Sequence, residues 1–145
     1  MKMKINLVLL TLGFAVSSTQ AFAADASVEM LNADPETRQT MVFKPSIVSI
    51  EPGETVTWTP TSMGHNVEFI ADAIPDGVDA FRSTFNKEVS YTFDQPGIYV
   101  YKCTPHYAAG MIGIVKVGDV EADTALADVK LAPLAQKRLT KILAE

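Results

Sequence analysis

The only cysteine of the 145-residue chain, Cys103, is followed by His106 and Met111 in the stretch CTPHYAAGM. The second histidine of the chain, His65, lies 38 residues before the cysteine. A thiolate, two imidazoles and a weak thioether form the donor set of a blue-copper electron-transfer site. The thiolate stabilises the oxidised ion, the softer thioether favours the reduced one, and the imidazoles suit both. The spacing Cys-x2-His-x4-Met would place Cys103, His106 and Met111 on one short loop between adjacent strands. His65, on a different strand, would close the site from the far side.

Taken singly, each residue has a plainer reading. Cys103 could be a buried apolar thiol, His65 a satisfied strand histidine, and Met111 a core residue like Met30 and Met41. Zinc is the strongest rival metal, although a thioether is a poor fourth ligand for it. A Cys/His nucleophile would need an orienting third group and a substrate cleft, neither of which the sequence indicates. Copper delivery without electron transfer is the alternative outside the carrier class. It usually relies on several exposed Met, Cys or His residues.

The N-terminus sharpens the question of an unpaired thiol. Lys2 and Lys4 precede an apolar run over residues 5–16, then a polar stretch, then Ala21, Phe22 and Ala23. This pattern reads as a secretory signal peptide over residues 1–23, with the periplasm as destination. The apolar run is shorter than the ~20 residues of a membrane span. Residues 24–145 then form one domain, with no membrane attachment after cleavage. Without Lys2 and Lys4 that domain carries ten Lys and Arg against 17 Asp and Glu, a formal charge of −7. Such a balance argues against nucleic acid or anionic lipid as partner. In an oxidising compartment a lone thiol must be buried or ligated.

The elements that must position these residues are mostly strands. SVEML, TMVF, SIVSI, TVTWT, HNVEFI, EVSYTF, IYVYKC and MIGIVKV are short β-type runs. Turn residues such as EPGE (51–54) and DQPG (94–97) punctuate them. The expected fold is all-β, a sandwich or a barrel. Alternation puts Tyr99, Tyr101 and Cys103 on one face, His65 with Val67 and Phe69 on another, and Met111 with Gly113, Val115 and Val117. Residues 70–87 are the longest irregular stretch, with one helical turn expected within AIPDGVDAFRS. Two C-terminal helices follow, the first with Asp123 or Thr124 as cap, the second with Pro133 in its first turn. Leu131, Leu134, Leu139, Ile142 and Leu143 form the stripe expected to pack on the sandwich.

With these motifs in view, the sequence resembles the pseudoazurins, small bacterial cupredoxins. GHNV at 64–67, KCTPHYAAGMIG at 102–113, EPGETVTW at 51–58 and the two C-terminal helices carry the resemblance over almost the whole of residues 24–145. Plastocyanins share the ligand loop but typically space the first histidine further from the cysteine and lack the helical tail. Amicyanins have a shorter loop. The resemblance implies an all-β Greek-key sandwich of about eight strands with the two helices packed on it. It also implies one type 1 copper ion held by His65, Cys103, His106 and Met111, with His106 nearest the surface within an apolar docking patch. It further implies a monomeric, non-enzymatic electron carrier, with a c-type cytochrome as donor and a nitrite reductase of denitrification as acceptor. Asn66 is expected to tie the two ligand loops together, its backbone N–H a candidate donor to the Cys103 sulfur. One departure stands out. Pseudoazurins usually ring the exposed histidine with lysines, whereas here Met63 and Ala33 occupy places where relatives often carry lysine. Lys102, Arg82, Lys87 and Arg38 remain available for the ring, so weaker steering is expected.

Overall fold

The computed structural model describes residues 25–145. The expected signal peptide lies outside the described residues. Two mixed four-stranded sheets face each other. The first contains β1 (Ala26–Ala33), β2 (Thr40–Lys44), β4 (Glu54–Thr59) and β6 (Val89–Phe93), in the order β2-β1-β4-β6. The second contains β3 (Ile47–Ile50), β5 (Glu68–Phe69), β7 (Gly97–Lys102) and β8 (Ile112–Val117), in the order β3-β8-β7-β5. Parallel pairing joins β1 to β4 and β3 to β8, and the remaining pairs are antiparallel. Two helices, α1 (Ala122–Ala125) and α2 (Pro133–Leu143), follow the last strand. No helix among the described residues is long and apolar enough to cross a membrane.

Strands β7 and β8 bury both faces, which explains their nearly continuous apolar sequences. Tyr99, Tyr101, Val115 and Val117 point between the sheets, where they meet Val28, Met30, Trp58, Phe69 and Phe93. Ile98, Val100, Ile112 and Ile114 point the other way and are covered by Leu126 of the segment after α1 and by Ala135, Leu139 and Ile142 of α2. The first of these cores continues through Cys103 and Met111. The site is therefore built at the end of the main apolar core.

Four local expectations are corrected. HNVEFI is regular strand only at Glu68 and Phe69, because the preceding residues bond instead to residues 83–86. Ser83 Oγ accepts the Val67 N–H, and the Asn86 N–H donates to the His65 carbonyl at 2.9 Å. The only helical turn in the irregular stretch is a 3-10 segment at Ala71–Ala73, mostly upstream of AIPDGVDAFRS. Helix α1 begins after Glu121 without a side-chain cap, so neither Asp123 nor Thr124 caps it. In α2 the inward face is Ala135, Leu139 and Ile142, and Leu134 is 54% exposed. The helix lies so close to the ligand loop that alanine, not leucine, fits the inward position. The Leu134 carbonyl sits only 2.9 Å from where a Cβ on Gly110 would be.

Candidate metal centre

Cys103 ends β7, and residues Thr104–Ala109 coil into a 3-10 turn with Pro105 at its start. Pro105 has no N–H to satisfy there, so it suits a first turn. Gly110, at φ +86°, closes the turn in a conformation that disfavours side chains. Backbone hydrogen bonds tie the loop to itself: Cys103 N–H to the Met111 carbonyl at 3.1 Å, and Met111 N–H to the His106 carbonyl at 3.1 Å. Cys-x2-His-x4-Met is thus the length of a single closed turn. His65 comes from a second loop, which Gly64 enters at φ +94°. The Gly64 N–H donates to the Asn86 side chain.

These two loops bring the predicted residues together. Cys103 Sγ lies 3.5 Å from Nδ1 of His65 and 3.5 Å from Nδ1 of His106, and the two Nδ1 atoms are 3.2 Å apart. A point equidistant from three atoms so spaced is about 2 Å from each, the length of metal–nitrogen and metal–sulfur bonds. Met111 is fully buried in the same core cluster and is tied by backbone to both Cys103 and His106. His65 and Cys103 are fully buried, whereas His106 is half-buried and reaches the surface.

Asn32 was not anticipated, and it sets the chemistry of His65. Its Oδ1 lies 2.8 Å from His65 Nε2. An amide oxygen can only accept, so Nε2 carries the proton and Nδ1 presents its lone pair to Cys103 and His106. A single cation between Cys103 Sγ and the two Nδ1 atoms would satisfy all three at once. The donor set and its spacing therefore fit a copper ion. No local signal singles out Asn32, which is an exposed polar residue near the end of β1.

Asn66 joins the two loops as expected. Its Oδ1 accepts the Thr104 N–H at 2.8 Å, and its Nδ2 donates to Thr104 Oγ1 at 2.9 Å. Thr104 Oγ1 in turn donates to Glu68 Oε2 at 2.6 Å. Burial pushes the Cys103 thiol up, and the backbone N–H groups of Asn66 and His106 draw it partly back. Burial, reinforced by the charge of His106, lowers His65, which keeps that imidazole neutral. Deprotonated sulfur and neutral imidazole are the forms that bind metal. Burial already supplies the second, and a bound cation would supply the first.

The family model described as copper binding proteins of the plastocyanin/azurin family matches residues 28–118. A pseudoazurin from Methylorubrum extorquens is 41% identical over 137 residues, covering 93% of this chain and 91% of that protein. A pseudoazurin from Paracoccus pantotrophus is 40% identical over 125 residues, covering 86% and 85%. The crystal structure of native pseudoazurin from Hyphomicrobium denitrificans superposes with a TM-score of 0.78 at 40% identity, covering 83% of this chain and 97% of that one.

Proposed function

The chain belongs to the pseudoazurins within the plastocyanin/azurin family of copper-binding proteins, and we propose that His65, Cys103, His106 and Met111 are the four ligands of its type 1 copper. The observation that carries this assignment is the triangle of Cys103 Sγ and the two Nδ1 atoms, with the tautomer of His65 fixed by Asn32. When bound, copper supplies a centre that takes up and releases one electron. The protein is an electron carrier, and the residues around the site serve that role.

Asn66, Thr104 and Glu68 hold the two ligand loops in one arrangement, which limits geometric change between oxidation states. Burial of Cys103 excludes water from the sulfur and protects it from oxidation. The half-buried His106 ring is the surface edge through which an electron passes to a docked partner. In this reading the protein acts in the periplasm as a monomer and transforms no substrate. It takes electrons from a c-type cytochrome and delivers them to a nitrite reductase. Stopped-flow mixing of the reduced, copper-loaded protein with a copper-containing nitrite reductase tests this. Reoxidation at a second-order rate that saturates only at high partner concentration is expected. No reoxidation by the reductase, with copper instead transferred to an apo-acceptor, would favour copper delivery.

A further inference from the structure

One helix groups three positive charges with no acid among them. Helix α2 carries Lys137, Arg138 and Lys141 and no acidic residue, whereas the other described residues carry seven cations against 17 acids. Of the cations expected around His106, Lys102 and Arg82 share the single carboxylate of Glu68. Lys102 lies 3.7 Å from one oxygen of Glu68 and over the ring of Tyr107, and Arg82 lies 3.9 Å from the other oxygen. Lys137 and Lys141 make no ion pair among the described residues, and neither does Lys87, which stands alone where α2 groups three cations. Arg138 bonds to neutral acceptors, Gln39 Oε1 and the Thr40 carbonyl, and feels the charge of Glu145.

The same helix is anchored to the ligand loop. The Ala132 N–H donates to Tyr107 Oη at 3.0 Å, and Gly110 permits the close approach of the Leu134 carbonyl. Between helix and loop runs a groove of about 630 Å³ lined by Ala109, Leu134, Lys137, Arg138 and Lys141. Leu134 is one of the few large apolar side chains left exposed, and Met63, next to Gly64, is another. Apolar surface therefore runs from the His106 edge onto a cationic helix. A carrier's partner must find the site by charge and seat on a small apolar area.

We infer that the basic face of α2, together with Leu134 and Ala109, is the docking surface for an acidic redox protein. The partner then approaches the His106 edge from the α2 side, not through a ring of charges around the histidine. This rests on the electron-carrier reading.

Two measurements test it. In the first, the copper-loaded, reduced protein is titrated with the redox-inert anion hexacyanochromate(III) while backbone amide signals are recorded by NMR. Broadening centred on residues 109 and 134–141 is expected. Broadening centred on Arg82, Lys87 and Lys102 would overturn the proposal. In the second, the K137E/K141E variant should pass electrons to a copper-containing nitrite reductase about tenfold more slowly than wild type at low ionic strength. Its rate should also depend less on salt, and its visible spectrum should be unchanged. K116E, at the far end of β8, reports the effect of net charge alone. A loss per charge in K137E/K141E no larger than in K116E would contradict the assignment. Self-association that K137E/K141E abolishes would likewise overturn it, in favour of a second copy as occupant. The anion map stands even if the wild type passes no electron to the reductase, so failure of the carrier reading is distinguishable.

Discussion

Asn32 Oδ1 holds His65 Nε2 at 2.8 Å and thereby aims His65 Nδ1 at the sulfur of Cys103. One residue on β1 thus decides which nitrogen of a buried ring is free to bind metal. Asn32→Leu removes the acceptor while leaving the ring in place. Outer partners of ligating histidines typically contribute 10–100-fold in metal affinity. We expect Cu(I) affinity, measured by competition with a chromophoric chelator, to fall by about that factor, with Asn32→Asp restoring much of it. Affinity within twofold of wild type in Asn32→Leu would show that packing alone orients His65.

Glu68 sets the direction of the hydrogen bonds that link the ligand loops. As an acceptor-only carboxylate it takes the Thr104 hydroxyl proton, so Thr104 Oγ1 must accept from Asn66 Nδ2. Asn66 is then held with its backbone N–H at the Cys103 sulfur. Glu68→Ala frees the hydroxyl to rotate and loosens that donor. The reduction potential is expected to fall, because N–H donation to the sulfur withdraws charge that favours Cu(II). The thiolate absorption band should shift with it. A potential and a band both unchanged would limit Glu68 to its contacts with Lys102 and Arg82.

Gly113 is needed for space. A Cβ there would clash with the ring and hydroxyl of Tyr101. Tyr101 cannot swing aside, since Phe43 and Trp58 pack edge-on against it at 4.7 and 5.2 Å. Gly113→Ala should therefore destabilise the fold by about 1–3 kcal/mol, the range for overpacked cores. Urea denaturation of the two proteins side by side measures it. An unchanged midpoint would mean that β7 and β8 separate at little cost.

Asp34 gives the protein an acid-sensitive contact away from the metal. The Glu36 N–H, the Thr37 hydroxyl and the Lys44 ammonium all hold its carboxylate, which lowers its pKa to about 2. The folded value lies below the ~3.9 of an unfolded aspartate. Its stabilisation is therefore complete above about pH 4 and is lost as pH falls toward 2. Asp34→Asn should be less stable than wild type at neutral pH, and the gap should close between pH 4 and 2. A gap that stays constant across that window would assign the loss to geometry instead of charge.

Much of this architecture was legible because β-strands repeat every two residues. The alternation in IYVYKC placed Tyr99, Tyr101 and Cys103 on the core face, and MIGIVKV did the same for Met111. The ligand set was legible because few residue types combine thiolate, imidazole and thioether at such short spacing. Asn32 was missed because its role depends on β1 lying beside a loop 33 residues away, which no local pattern reveals. Leu134 was misplaced because several leucines near α2 satisfy helical spacing equally well. Which face turns inward is set by the close approach of the helix to Gly110. Lys102 and Arg82 looked free in the sequence. Cross-strand register places both beside Glu68, whereas α2 groups three cations with no acid among them.

The central claim is that Cys103 binds copper as a thiolate beside His65 and His106. Visible absorption and EPR spectra of the protein after addition of Cu(II), compared with Cys103→Ser, test it most directly. An intense thiolate-to-Cu(II) band with narrow copper hyperfine splitting is predicted for the wild type and should be absent in the variant. A wild-type protein that binds Cu(II) without that band, or a variant that keeps it, would contradict the account.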